Sequence, residues 1–359
     1  MQKTPYLVTG ATGFVGRHLL QLLLDDPAIQ PIALVRDKAS WKKQDWTAKL
    51  KGVELIEGSV TEAQAWIGDK RLKGLAGVYH LAAVIQHTRK APEEMFHTNV
   101  EGLASMIRVG RHFKCRVLFV STSGTVGCFA DPKAKADELA PFQEETVGSW
   151  PYYASKIAAE RQGRALAEKL GVELVILRPP VLLGPGDHRG RATAHISRLL
   201  RGKLPFIVNG GIHFVDIRDV SRAMIRAMKI ANPKPVYHFC GTTYPIDRFF
   251  KTVAAIGGVA PPKVALPGPV AALLAKVSGL LDKVLPPQKH PILPDPVVFE
   301  MASKHWGLSS LYAEKDLGFV SRDSIATLSD TIAWLKLNDP ELKKEYAGAL
   351  ETATNTHAS

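Results

Sequence analysis

One stretch, Thr9-Gly10-Ala11-Thr12-Gly13-Phe14-Val15-Gly16, constrains this chain more than any other. The apolar run Tyr6-Leu7-Val8 precedes it, and Phe14, Val15, Leu19, Leu20, Leu23 and Leu24 follow at a helical spacing that describes one buried face. The pattern predicts a strand, a glycine turn and a helix. Gly10 allows a tight exit from the strand, Gly13 leaves no side chain where a pyrophosphate approaches the backbone, and Gly16 lets the helix press against the sheet. Thr12 stands inside the same turn. The free N–H groups and positive dipole end of the helix would then face the phosphates. The spacing is G-x-x-G-x-x-G rather than the commoner G-x-G-x-x-G, yet its place between strand and amphipathic helix predicts a dinucleotide site.

A chain of 359 residues, 46% of them hydrophobic, is long enough for one large α/β domain and a smaller one with a sizeable core. No apolar run reaches the length of a bilayer span, and the first strand leaves no room before it for a secretory signal. Cys115, Cys128 and Cys240 show no C-x-x-C spacing, which argues against a disulfide framework or a zinc site and fits a reducing compartment. A cytoplasmic protein without a metal is expected. The net charge of +12 could serve nucleic acid, anionic lipid, an acidic carrier protein or a phosphorylated ligand. The densest basic segment holds His188, Arg189, Arg191, Arg198, Arg201 and Lys203. Without interleaved aromatics it is no stacking platform for nucleic acid, which leaves a solvated helix face or an acidic partner.

Further along, Ile32-Ala33-Leu34-Val35 reads as a second strand ending at Arg36, twenty residues beyond Gly16. An acidic side chain at that place would accept hydrogen bonds from a ribose 2′-hydroxyl, whereas an arginine can pair with a 2′-phosphate. Arg36 therefore points to NADP(H) rather than NAD(H), with Asp37 beside it complicating the charge argument. A third strand at 53–56 leads into Ser59 and Val60, where the loop should pass the adenine. A fourth, Val78-Tyr79-His80, runs into Leu81, Ala82 and Ala83, small enough at its end for the backbone to approach a cofactor ribose. His80 lies inside that strand and reads as a packed, hydrogen-bonded histidine rather than a catalytic one. Helix 93–112 carries Asn99, and 117–120 is a fifth strand. Strands alternating with helices imply right-handed crossovers and a parallel sheet covered on both faces.

The fifth strand ends in Ser121-Thr122-Ser123-Gly124-Thr125, hydroxyls at the carboxyl edge where open α/β sheets bind ligands. After a polar loop, Pro151 opens a helix on which Tyr152 and Lys156, four residues apart, share one face. A phenol titrates near pH 10 in isolation, so its use as a proton donor near neutrality calls for a nearby cation. Lys156 supplies one and can donate to the nicotinamide ribose, while Thr122 or Ser123 would hold the substrate oxygen beside the phenol.

A sixth strand at 172–177 runs into Arg178-Pro179-Pro180, a rigid crossing. The chain then turns irregular, returns through 214–220 and a helix, and adds a last strand at 236–240. Residues beyond about 244 read as mostly helical. The apolar segment 269–285 reads as an amphipathic helix that either closes the core of its domain or meets a membrane surface. From Asp339 a charged, then Thr/Ala/Ser-rich, stretch reads as a flexible tail.

Together these motifs resemble the extended short-chain dehydrogenase/reductase family of NAD-dependent epimerase/dehydratase type, over residues 5–335. The residues that carry the resemblance are Thr9 to Gly16, His80-Leu81-Ala82-Ala83, Asn99-Val100-Glu101-Gly102, Ser121-Thr122-Ser123, Tyr152 to Lys156 and Arg178-Pro179-Pro180. Val35-Arg36-Asp37 and the apolar C-terminal region are more similar to dihydroflavonol reductases and 3β-hydroxysteroid dehydrogenases than to sugar-nucleotide epimerases. The resemblance implies a Rossmann-type doubly wound parallel sheet with a smaller, mostly helical substrate domain. The first takes residues 1–180 and about 212–243, the second about 181–211 and 244–338, with 339–359 as tail. It implies cofactor contacts at Gly13, Phe14, Val15, Arg36, Val60, Leu81, Ala82, Lys156, Pro179 and Val181, with Tyr152 close by. Thr122 aligns with the catalytic hydroxyl, but the family's following Tyr-Gly is Val126-Gly127 here, which keeps Ser123 as a rival. Ser59 replaces the aspartate often found in the adenine loop. The implied activity is an NADP(H)-dependent oxidoreductase acting on the carbonyl or secondary alcohol of a largely apolar small molecule. A sugar-nucleotide epimerase or dehydratase with tightly held NAD(P), and a non-catalytic NAD(P)-binding regulatory protein, are the alternatives. The expected partners are a small-molecule substrate and no nucleic acid, with a peripheral membrane or acidic carrier contact also considered, in a monomer or homodimer.

Overall fold

The computed structural model describes residues 3–284 and 294–343. Those residues divide into two compact units, one drawn from 3–180, 217–240 and 306–321 and another from 181–216, 241–284, 294–305 and 322–343.

The first unit is built on a seven-stranded sheet. Its strands are β1 (Thr4–Thr9), β2 (Ile29–Val35), β3 (Glu54–Glu57), β4 (Gly77–His80), β5 (Arg116–Val120), β6 (Leu174–Arg178) and β7 (Val236–His238). Their order across the sheet is β7-β6-β5-β4-β1-β2-β3 and every pair is parallel. The order reverses between β1 and β4, which places the ligand crevice of such a sheet at the carboxyl ends of those two strands. The strands lack polar alternation because both faces are covered. Helices α1 (Phe14–Leu24), α2 (Gly102–Phe113), α3 (Pro151–Leu170) and α4 (Ile217–Lys229) flank the sheet, α1 against α4 and α2 against α3. One core gathers Leu7, Ile32, Ile56, Val78, Met106 and Val117, and another Leu103, Ile107, Phe119, Ala159 and Ile176.

The second unit has its own core around Ile196, Ile212, Phe214, Phe249, Val253, Leu328 and Ile332. It is mostly helical, with two small sheets: Val181–Leu183, Gly211–Asp216 and Thr242–Pro245 form a three-stranded one, and Phe206–Val208 pairs with Val264–Leu266. Its boundaries differ from those read in the sequence. Residues 212–216 pair with Val181–Leu183 and Thr242–Pro245 and therefore leave the large sheet's unit, whereas 306–321 return to it, helix Leu311–Leu317 packing on β7. The expected tail begins too early. Asp339 accepts hydrogen bonds from Ser197, at 2.6 Å, and from Arg201, and Arg201 and Lys203 both pair with Glu341. That pairing also neutralises part of the basic segment internally. Residues 344–359 lie outside the described residues.

Candidate active site

The glycine turn sits between β1 and α1, where Gly10 has φ +66 and its carbonyl accepts the N–H of Gly13 at 2.9 Å. A Cβ on Gly10 would lie 2.6 Å from the backbone nitrogen of Ala82, so a left-handed turn and the close approach of the neighbouring strand end both demand glycine there. Gly16 serves the turn more directly than expected: its Cβ would lie 2.5 Å from the Gly10 carbonyl oxygen. Gly13 caps α1 without a side chain, and the first helical turn carries no acid. These residues fit an anionic dinucleotide, whose phosphates the N–H groups at the helix start would hold.

Thr9 ties the two central strand ends together. Its hydroxyl accepts the N–H of Leu81 and of Ala82, both at 3.2 Å, and so donates its own proton to Nδ1 of His80 at 2.8 Å. His80 is fully buried, and burial pushes it down to about 3. It is a neutral packing histidine.

The other expected cofactor residues gather at the same edge of the sheet. Arg36 follows β2 and is exposed, and Asp37 turns its carboxylate to cap the next helix through the N–H groups of Ala39 and Ser40. Ser59 and Val60 follow β3; the Ser59 carbonyl accepts from Trp66 Nε1 and its hydroxyl meets Thr61. Leu81, Ala82 and Ala83 follow β4, and Pro179 follows β6, its carbonyl accepting the N–H of Ser123 at 2.9 Å. Val181 falls in the second unit.

Thr122 follows β5 half-buried, close enough to the Tyr152 phenol to oppose the rise that burial imposes on it. Thr122 Oγ1 also accepts the Gly124 N–H at 3.3 Å, whereas Ser123 is buried behind it. Tyr152 and Lys156 are 8% and 2% exposed, so the pair faces inward and is no surface salt-bridge site. The expected electrostatics are only half assembled. Burial pushes the Tyr152 phenol up, with Thr122 opposing, while the Lys156 ammonium donates to the Val120 carbonyl at 2.8 Å and rests 4.5 Å above the Phe119 ring. Burial lowers Lys156 to about 7, against the pull of Glu160.

Several residues position the site through partners that the sequence did not disclose, though Asn99 and Arg178 themselves lie in motifs named there. Asn99, within a π-helical turn His97–Glu101, clamps Val84 through its N–H and carbonyl and donates to Ser155 Oγ at 2.9 Å. Ser155 in turn donates to the Tyr152 carbonyl at 2.7 Å. Glu160 accepts from Ser121 Oγ at 2.6 Å and is paired with Arg178. Tyr152, Lys156 and Glu160 recur every fourth residue, and that polar stripe on a helix with an apolar inner face was the available signal. His87 has none. Its ring lies 5.7 Å from that of Tyr152 and 6.3 Å from that of Tyr153, beside a cluster in which Tyr153 stacks on Trp306 at 5.7 Å. Tyr153 also packs on Gly124, where a Cβ would lie 2.0 Å from its ring. Among the described residues no group of side chains could hold a metal ion.

The family model described as "NAD dependent epimerase/dehydratase family" matches residues 6–239. The chain is 26% identical to sterol demethylase protein B of Methylococcus capsulatus, over 92% of this chain and 98% of that one. It is 30% identical to tetraketide alpha-pyrone reductase 1 of Arabidopsis thaliana, over 61% of this chain and 70% of that one. The solved UDP-glucose 4-epimerase of Thermotoga maritima superposes with a TM-score of 0.71 at 20% identity, covering 93% of this chain and 99% of the other, which shows the shared fold. The chain belongs to the NAD-dependent epimerase/dehydratase family, the extended short-chain dehydrogenases/reductases, and is an NAD(P)-dependent enzyme of that type.

Proposed function

We propose that the protein is an NADP(H)-dependent oxidoreductase that interconverts a carbonyl and a secondary alcohol on a largely apolar small molecule. The observation that carries the reading is the buried Tyr152 phenol with Thr122 beside it and Lys156 one helical turn away. The cofactor, when bound, supplies or accepts the hydride. Tyr152 gives its proton to the carbonyl oxygen during reduction and takes it back in oxidation, and Thr122 orients that oxygen beside the phenol. Lys156, released from Val120, stabilises the phenolate form and donates to the ribose. Selection of the phosphorylated cofactor rests on Arg36, because the neighbouring Asp37 carboxylate is occupied at its helix cap and does not oppose a 2′-phosphate. Relatives that are named as reductases favour net redox chemistry over internal epimerisation.

The test is incubation of the purified protein with NADPH and a panel of apolar ketones, flavonoid-like ketones and nucleotide sugars. Oxidation followed at 340 nm with an apolar carbonyl supports the reading. Interconversion of a nucleotide sugar without net NADPH consumption would replace it with the epimerase reading.

A further inference from the structure

Helix Gly268–Val284 of the second unit is amphipathic in an inverted sense. The side turned inward carries small residues, Ala271 and Ala275 at 1% and 5% exposed, which pack with Val208, Phe206, Phe299 and the half-buried Leu274, while Ser278 donates to the Pro294 carbonyl at 3.0 Å. The side turned outward carries large apolar ones. Val270, Leu273, Val277 and Leu280 are 42%, 62%, 40% and 63% exposed and recur at i, i+3, i+7 and i+10, a single stripe on the helix. Val264 on the strand before it and Val298 on helix Pro296–Ala302 extend the apolar surface. A helix whose role is to close a core places its bulky residues inward, so packing among the described residues of this unit does not account for the stripe.

Charge says what covers it. From Gly258 to the end of the helix at Val284 the sequence holds one carboxylate, Asp282, against Lys263, Lys276 and Lys283, and Lys263 and Lys276, both exposed, flank the stripe. The chain as a whole carries +12. Asp295, on the neighbouring short helix, is engaged in capping Val297. A second copy of the chain fits less well. Eleven helical residues span roughly 16 Å, so a stripe one helix wide offers roughly 160 Å², well below the roughly 800 Å² per partner of a stable interface. Such a strip is, however, of the size that an interfacial helix inserts among acyl chains while its lysines meet anionic headgroups.

We propose that the outward face of helix Gly268–Val284 is a peripheral docking surface for an anionic lipid bilayer. It is an interaction site of the second unit, and the proposal holds whatever the substrate is.

The experiment is co-sedimentation of the full chain with vesicles of equal parts phosphatidylglycerol and phosphatidylcholine, and with phosphatidylcholine alone, at low and high salt. The protein should pellet with the anionic vesicles, less so at high salt. Leu273→Glu with Leu280→Glu should weaken that partition by about tenfold or more, since each places a charge among the acyl chains. Because both positions are exposed, circular dichroism and thermal melting should match those of the parent. Lys263→Gln with Lys276→Gln, which leaves the apolar stripe intact, should weaken the salt-dependent part alone. Protein that stays in the supernatant with anionic vesicles at low salt overturns the proposal. So does undiminished pelleting of the Leu273→Glu, Leu280→Glu variant, or a dimer in analytical ultracentrifugation that this variant dissolves.

Discussion

Glu160 holds Arg178 through a paired ion bridge in which neither side chain reaches solvent: Nε donates to Oε1 at 3.0 Å and Nη2 to Oε2 at 2.6 Å, with exposures of 0% and 3%. The bridge fastens helix α3 to strand β6, and Ser121 Oγ joins Glu160 to the end of β5. Removing one member leaves a buried guanidinium without its counter-charge, which costs about 3–5 kcal/mol. Glu160→Gln should therefore lower stability by about that amount in urea unfolding, whereas a surface pair such as Arg161 with Glu144 should contribute under about 1 kcal/mol.

Lys156 makes the stability of the cofactor-free protein pH-dependent. Burial holds its ammonium at about 7, against 10.5 for the free side chain. Between those values the unfolded chain keeps a proton that the folded chain has released, so this group makes stability rise with pH from about 7 to about 10.5. Below 7 both states are protonated and the cost of burying the charge is constant. Lys156→Met has no charge to bury. The gap in melting temperature between variant and parent should be widest below pH 7 and narrow as pH rises, and a gap independent of pH would contradict the assignment.

Arg36 should set cofactor preference. A charge-assisted contact to a 2′-phosphate contributes about 1–3 kcal/mol, or roughly 5- to 150-fold in affinity. Titration by fluorescence should show NADPH binding more tightly than NADH by a factor in that range, and Arg36→Ala should remove most of the difference. Equal affinities in the parent would refute the preference.

What was legible in the sequence depended on short-range pattern. Gly10, Gly13 and Gly16 announce a turn because backbone conformation is local, and the β-α alternation announces a parallel sheet because each crossover needs a helix. Tyr152 and Lys156 were legible because four residues make one helical turn. The supports were not. Asn99 reaches Ser155 over 56 residues and Ser121 reaches Glu160 over 39, and no periodicity records which distant side chains a fold will bring together. The same holds for His87, whose place beside Tyr152 follows from a loop without regular structure. The early tail at Asp339 failed for a similar reason: its anchors, Ser197 and Arg201, lie 142 and 138 residues away.

Tyr152 and Tyr153 are adjacent tyrosines in different surroundings, and that difference yields the sharpest prediction about the chemistry. One residue step turns a side chain about 100° around the helix, so Tyr152, four residues before Lys156, and Tyr153, three before it, lie on opposite sides of the lysine and meet different neighbours. Tyr152 is the one whose phenol Thr122 acts on, opposing the rise that burial imposes. Tyr153 instead stacks on Trp306, packs on Gly124 and lies 5.8 Å from Trp150. Loss of a general acid costs on the order of 10²- to 10⁴-fold in turnover, and loss of a hydroxyl from a packed ring costs far less. Tyr152→Phe should thus reduce turnover by that factor while NADPH affinity stays nearly unchanged, and Tyr153→Phe should keep activity within about tenfold of the parent. Thr122→Val should fall between the two, raising KM and lowering kcat together, because it removes the group that orients the carbonyl without removing the acid. Steady-state kinetics on one accepted carbonyl substrate decide the matter: a silent Tyr152→Phe alongside an inactive Tyr153→Phe would exchange the two roles.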